Sequence, residues 1–220
     1  MDDWIASGLL AGPHKHGLGR GRGSKALWSA EQANLFLRLL RARQGARRVK
    51  TLCNLPVWLW LTEGDDYVPL SQARRALATW ATGSTWTAQR HARRAVRMTL
   101  DQLGREELPP TTRRQLEILL VDALVTSKLD EVRLAQLGER QGSAKVEGLV
   151  RMMRARYMAL RNLPRVDDGL YLRARDLYRS FRPAMHLGDP KLEETANRAC
   201  LDLCTILGVL LSEGEPPSNE

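Results

Sequence analysis

The chain of 220 residues is 43% hydrophobic and carries a formal charge of +9, so it holds enough apolar material for a packed core, and disorder is not expected. A secreted disulfide scaffold usually has a larger and even number of cysteines, so the three cysteines of this chain favour a reducing compartment. They are Cys53, Cys200 and Cys204. The sequence opens with Asp2 and Asp3, and no uninterrupted apolar stretch approaches the ~18 residues of a membrane helix, so neither export nor membrane insertion is expected.

The first predicted elements are a short helix over residues 2–10 and a glycine-rich segment after it. Gly12-Pro13 ends the helix, and four glycines follow between residues 14 and 28. So many glycines are unfavourable inside a helix. An extended loop or a β-hairpin is therefore predicted for this segment.

The rest of the chain reads as helices separated by Gly or Pro turns. Ser29 and Gln32 form a capping-box pattern that predicts a helix over about 29–43. A further helical run reaches about Leu61 with an interruption at Pro56, and Pro69 marks the first turn of a helix through Trp80. Five of the remaining helices are predicted over residues 111–126, 128–141, 143–163, 167–182 and 190–212, and one precedes them over 85–103.

These elements predict a mainly α protein with two parts. The segment Gly104–Pro110 combines a change in charge balance with two prolines, which is typical of a boundary. We expect a basic region with supporting helices over 1–108, a helical bundle over 109–212 for dimerisation, partner or effector binding, and a disordered tail over 213–220.

The positive charge is concentrated in the first half of the chain. Residues 1–109 hold 17 Lys/Arg against 9 Asp/Glu, whereas residues 110–220 hold 17 against 16. Within residues 15–50 there are 10 basic side chains and a single acid, Glu31. Such a cluster indicates a surface for a polyanion, usually nucleic acid, with acidic lipid or a protein as the alternatives.

The same region resembles the core of MerR-like winged helix-turn-helix regulators, over about residues 2–60. The matching residues are Trp4, Gly8-Leu9-Leu10, Pro13, Gly19-Arg20, Leu27-Trp28-Ser29-Ala30-Glu31-Gln32, Leu35, Leu39-Leu40 and Gly45. The resemblance implies that residues 2–10 end the recognition helix, that 13–27 form a short wing hairpin and that 29–43 form the helix behind it. The family's first helix and turn would precede residue 2. Either the true start lies upstream, or the wing is the main contact of a reduced motif.

The candidate DNA-binding residues lie on the predicted wing and beyond the helix that follows it. Their side chains offer positive charge or hydrogen-bond donors to phosphate: His14, Lys15, His16, Arg20, Arg22, Ser24, Lys25, Arg47, Arg48 and Lys50. A stripe on the helix over 85–103 would add secondary phosphate contacts or form only a solvated face: Arg90, Arg93, Arg94 and Arg97.

No catalytic motif, metal site or cofactor site is predicted. Cys200 and Cys204 lie among leucines and are expected to be buried core thiols. The pairs Asp65-Asp66 and Asp167-Asp168 are expected to cap helices and form turns. Most of the six tryptophans are expected in the core, with stacking on unpaired bases as the alternative.

The sequence thus favours a prokaryotic transcriptional regulator, not an enzyme, that binds double-stranded DNA through its wing. We expect it to be cytoplasmic and nucleoid-associated, a homodimer without a membrane partner, and open to a small-molecule or protein effector. The alternative is a protein-interaction or RNA-binding adaptor that uses the basic face and the helical bundle.

Overall fold

The computed structural model describes residues 2–17, 24–43, 52–81, 88–102, 110–126, 143–181 and 192–214. Over these ranges the protein is mainly helical with one two-stranded antiparallel sheet, so the mainly α prediction is confirmed. The elements are α1 (Asp2–Ala6), β1 (His14–Gly17), β2 (Ser24–Leu27), α2 (Ala30–Arg43), α3 (Asn54–Glu63), α4 (Leu70–Ala81), α5 (Ala88–Gln102), α6 (Pro110–Thr126), α7 (Ser143–Asn162), α8 (Asp168–Phe181) and α9 (Leu192–Gly214).

The chain forms two compact units. The first unit contains residues 1–83 and 175–200, and the second contains 84–174 and 201–220. Both are discontinuous in sequence, because α8 and α9 each contribute residues to both units. Sequence reasoning placed its boundary near residue 109 instead, within a segment that lies outside the described residues.

In the first unit, α1 is shorter than the predicted helix over 2–10. It ends at Ala6 because Gly8 adopts a left-handed conformation with φ of 79° and donates its N–H to the carbonyl of Ile5 at 3.1 Å. A Cβ on Gly8 would lie 2.3 Å from the backbone nitrogen of Ala76. Only glycine therefore allows this segment to pass so close to α4, and the two leucines that follow are fully buried.

A buried pair of glutamines ties the segment before the hairpin to α2 and α4. The Gln32 carbonyl oxygen accepts the N–H of Ala11 at 2.8 Å, and its amide nitrogen donates to Gln72 at 2.9 Å and to the Tyr67 carbonyl at 3.2 Å. Gln72 in turn donates to the carbonyl of Leu9 at 3.0 Å. Because buried amides are stable only when they are paired, this network fixes where the chain leaves the core and enters β1.

The α3 helix runs without a break from Asn54 to Glu63, so the predicted interruption at Pro56 is wrong. Pro56 is the third residue of the helix, where a backbone N–H would have no partner inside the helix, and its absence does not disturb the hydrogen bonding. Trp58 and Trp60 are buried, as predicted, and the helix is apolar on every side.

Asp65 links the turn after α3 to two helices of the first unit. Its carboxylate accepts the indole N–H of Trp60 at 3.1 Å and the first backbone N–H of α4, that of Leu70, at 3.1 Å. It also pairs with Arg175, whose guanidinium lies 5.3 Å from the centre of the Trp60 ring. The predicted role of Asp65 as a turn and cap residue is confirmed, and Asp167 caps α8 in the same way through the N–H of Leu170 at 2.9 Å.

The contacts of Asp65 predict an acid-sensitive contribution to stability. Partial burial alone would raise the pKa of Asp65, but the hydrogen bonds from Arg175 and Trp60 and the charge of Arg175 outweigh it and hold the pKa below its usual 3.8. The stabilisation is therefore complete above about pH 4 and is lost as pH falls through the lowered pKa. Asp65→Asn should cost about 0.5 kcal/mol at pH 7, since the pair is solvent-screened, and almost nothing at a pH well below the lowered pKa.

Urea denaturation of the unsubstituted protein and of Asp65→Asn between pH 2.5 and pH 7 checks this prediction. The neighbouring Asp66 is exposed, so Asp66→Asn serves as the matched control and should leave the unfolding free energy unchanged. A penalty for Asp65→Asn that stayed constant with pH would contradict the assigned ion pair.

The second unit is built around α5, which packs against α6 and α7. The C-terminal part of α9 crosses α7 at Gly208, where an added Cβ would lie 1.7 Å from the carbonyl oxygen of Ala155. The described helices begin and end close to their predicted limits, although α9 continues to Gly214. The predicted disordered tail begins at residue 213, but residues 213 and 214 still belong to α9. Residues 215–220 and the predicted helix over 128–141 lie outside the described residues.

An arginine lies at the centre of the second unit. Arg156 is 1% exposed, and its guanidinium donates to the hydroxyls of Thr99 and Thr205, each at 3.0 Å, and to the side-chain oxygen of Gln102. Burial lowers the pKa of Arg156, while Cys204 and Asp202 act in the opposite direction. Sequence analysis did not single out this residue.

Candidate nucleic-acid interface

The hairpin between α1 and α2 is an exposed two-stranded ribbon. β1 and β2 are antiparallel, with His14 opposite Leu27 and Gly17 opposite Ser24. Side chains alternate between the two faces of such a ribbon. One face carries His14, His16, Lys25 and Leu27, and the other carries Lys15, Gly17, Ser24 and Ala26. All eight residues are exposed, so both faces are open to a partner.

The structure brings together half of the ten candidate DNA-binding residues on the wing and beyond α2. His14, Lys15, His16, Ser24 and Lys25 all lie on the paired strands, and His16 is directly opposite Lys25. The predicted β-hairpin is therefore present in the form of this sheet. The remaining members of the set lie outside the described residues: Arg20, Arg22, Arg47, Arg48 and Lys50.

The helices on either side of the hairpin are held together by an aromatic contact. The rings of Trp4 in α1 and Phe36 in α2 meet edge to face with centroids 5.6 Å apart. The Arg43 guanidinium lies 5.8 Å from the centre of the Trp4 ring. A T-shaped pair with a cation on the ring is a favourable arrangement, so the two ends of the hairpin segment are joined at a packed base.

The predicted arginine stripe on α5 is divided between different surroundings. Arg97 donates to the carboxylate of Glu117 in α6 at 2.7 Å, and Arg93 lines a groove against the same helix. Partial burial lowers the pKa of Arg94, with Cys204 and Asp101 acting in the opposite direction. All four arginines, Arg90 among them, are exposed, and their predicted contacts to phosphate stay a prediction.

The groove between α5 and α6 has a volume of about 550 Å³ and combines basic and apolar residues. The residues that sequence analysis did not single out include Arg114, Ile118 and Val125, all on α6. A signal was available, because Ile118 and Val125 are seven residues apart and so share one face of a helix. Nothing in the sequence alone showed that Ile118 and Val125 would both be exposed.

The cysteines are core residues. Cys200 and Cys204 are both fully buried, as predicted. Burial raises the pKa of the Cys204 thiol to about 12, although the guanidinium groups of Arg156 and Arg94 oppose this shift. Among the described residues, no group of three or more His, Cys, Asp or Glu side chains is placed to hold a metal ion.

One described helix segment, Glu194–Glu213, is long and apolar enough by length and composition to cross a membrane. Buried core helices meet the same criterion, so a single segment of this kind is weak support for a membrane protein. The expected absence of a membrane partner stays a prediction.

No protein-family model, curated protein or solved structure matches the chain. The relationship to MerR-like regulators therefore rests on the residues that carry the resemblance and stays a prediction.

Proposed function

We propose that the protein is a transcriptional regulator that contacts duplex DNA through the hairpin of β1 and β2. The observation that supports this proposal is the exposure of every residue of both strands, with a lysine on each face of the ribbon. A two-stranded ribbon fits the width of the major groove, and a wing follows the phosphate backbone beside it. The proposal includes a MerR-like winged helix, a homodimer and a cytoplasmic, nucleoid-associated location.

The chemistry of the hairpin favours contacts to phosphate over the reading of bases. Lys15 and Lys25 offer ammonium groups, His14 and His16 offer imidazole N–H donors, and Ser24 offers a hydroxyl. These groups match phosphate oxygens, and the charged ones release counterions when they bind. We therefore propose binding that is strongly salt-dependent and only weakly selective for sequence at the hairpin.

Lys15→Ala combined with Lys25→Ala tests the proposal. If both lysines contact phosphates, DNA affinity should fall about tenfold near 0.1 M salt, and the slope of log K against log salt should fall by about 2. Fluorescence anisotropy with a labelled duplex, repeated over a series of salt concentrations, measures both quantities. Adding Arg20→Ala and Arg22→Ala should weaken binding further.

The matched control is Arg75→Ala combined with Arg151→Ala, which removes the same charge from two exposed positions outside the hairpin. It should leave the salt slope nearly unchanged. Equal losses in the two double variants would mean that only net charge matters, and the hairpin proposal would be wrong. A preference for duplex RNA of the same length would point to the adaptor alternative.

A further inference from the structure

The relative direction of α5 and α6 determines the order of the side chains along the groove between them. The ion pairs Arg97–Glu117 and Arg113–Asp101 join these helices, so the numbering rises along one as it falls along the other. The two helices are therefore antiparallel. By this register, Arg114 lies at one end of the groove, Arg93 lies near its middle, and Val125 lies at the other end.

The floor of the groove is an apolar stripe two helical turns long. Ile118 is 64% exposed and Val125 is 41% exposed, while Val121 between them is buried at 8%. At 1.5 Å per residue the stripe extends for about 10 Å along α6. Ile118 and Val125 therefore offer two exposed apolar contact points on one face of α6.

The charges around this stripe favour an acidic partner. Arg97 is paired with Glu117, but among the described residues no carboxylate lies within ion-pair distance of Arg93 or Arg114. The lining also contains Asp122, which by this register lies near the level of Arg93, so the attraction for an anion is strongest toward Arg114 and falls off toward Val125. An occupant with acidic groups toward one end and apolar groups along its length would match this pattern.

We propose that the groove binds one amphipathic α-helix of a partner protein. Apolar residues of that helix spaced at i, i+3 or i+4, and i+7 would cover Ile118, Val121 and Val125, and acidic residues beside them would face Arg93 and Arg114. A small organic anion fits less well, because pockets for such ligands enclose most of the ligand, whereas Ile118 lies open to solvent. The outer surface of duplex DNA is dominated by phosphate oxygens, so it matches the apolar stripe poorly.

The test uses the full chain and two labelled synthetic peptides. The first is an amphipathic helix with leucines at i, i+3, i+4 and i+7 and glutamates on both sides, and the second has lysines in place of the glutamates. Fluorescence anisotropy should show saturable binding of the acidic peptide, at least about tenfold tighter than that of the basic one. Because the whole chain is positive, this preference is not sufficient by itself.

Variants of the groove assign the binding to its residues. Ile118→Ala with Val125→Ala should weaken the acidic peptide about tenfold, and Arg93→Ala with Arg114→Ala about fivefold. The matched controls remove equally exposed groups elsewhere: Leu37→Ala with Leu40→Ala on α2, and Arg151→Ala with Arg154→Ala on α7. Each control should change the affinity by less than about twofold, and circular dichroism should show unchanged helicity throughout.

Several results would overturn the proposal. One is the absence of saturable binding up to roughly 100 μM peptide, and another is an equal loss of affinity in the groove variants and their controls. A third is displacement of the acidic peptide by low concentrations of dodecanoate, which would assign the groove to a small organic anion. Self-association that disappears in Ile118→Ala with Val125→Ala would assign the groove to a second copy of the chain. A loss of DNA affinity in Arg93→Ala with Arg114→Ala, with peptide affinity intact, would assign these arginines to phosphates.

Discussion

Replacing Gly208 with alanine is expected to lower the free energy of unfolding by about 2–3 kcal/mol. In an uncrowded helix the same change is favourable by about 1 kcal/mol, because alanine is the better helix former. At Gly208 the new Cβ would lie 1.7 Å from the carbonyl oxygen of Ala155. The helices α7 and α9 would have to move apart, and the loss of packing outweighs the gain in helix propensity.

Gly148 provides the matched control for this prediction. It lies in α7 with no atom within 4 Å of the position that a Cβ would take. Gly148→Ala should therefore stabilise the protein by about 0.5–1 kcal/mol. Thermal denaturation followed by circular dichroism should give opposite shifts of the midpoint for the two variants. If Gly208→Ala were neutral or stabilising, the close crossing of α7 and α9 would be wrong.

Replacing Arg156 with alanine is expected to destabilise the protein by about 3–4 kcal/mol. The change removes a fully buried side chain and leaves a cavity in the second unit. It also removes the donor to Thr99, Thr205 and Gln102 at once. Urea denaturation measures the loss of unfolding free energy. Amide hydrogen exchange shows whether the loss falls in the second unit.

Methionine at the same position separates packing from hydrogen bonding. The hydroxyls of Thr99 and Thr205 also donate to the carbonyls of Ala95 and Leu201, at 2.9 and 3.0 Å. Without the guanidinium they keep those bonds, so Arg156→Met should cost less than about 1.5 kcal/mol. The exposed control Arg151→Ala should be neutral within about 0.5 kcal/mol. A cost for methionine as large as that for alanine would mean that the hydrogen bonds dominate.

The predictions that depended on local chemistry were the most accurate. The hydroxyl oxygen of Ser29 accepts the N–H of Gln32 at 3.2 Å, so the capped start of α2 is confirmed. The side chain of Gln32 instead reaches Ala11, Gln72 and the Tyr67 carbonyl. Partners up to 40 residues away are decided by tertiary packing, and a capping pattern contains no information about them.

The errors have a similar cause. Pro56 was expected to interrupt a helix, but its effect depends on which turn of the helix it occupies, and that depends on where the helix begins. Arg156 follows Leu149 and Met153 and precedes Leu160 at helical spacing, so it lies on the apolar face of α7. A basic residue on such a stripe was a usable signal, but its polar partners come from α5 and α9.

The candidate site also combines features that the sequence predicted with features that depend on tertiary packing. Alternation along β1 and β2 assigns His14, His16 and Lys25 to one face once the register is known. The glycine content predicted an extended loop or a β-hairpin, and the resemblance to MerR-like regulators implied the hairpin. The stripe of arginines on α5 was visible as a periodicity. The ion pair of Arg97 and the groove beside Arg93 depend on α6, and the surroundings of Arg94 include Cys204 on α9, so no local pattern could indicate this division.

The discontinuity of the first unit has a consequence for folding during synthesis. Its helix α3 is apolar on all sides, and α8 and the start of α9 contribute to its cover. Arg179 donates to the carbonyl of Leu61 at 2.7 Å, and Asn54 donates to the side chain of Asn197 at 3.0 Å. At 5–20 residues per second, the ribosome needs about 6–30 s to proceed from α3 to residue 200. During that interval the apolar side chains of α3 lack part of their native cover, so we expect the first unit to complete its fold only after residue 200 has been synthesised.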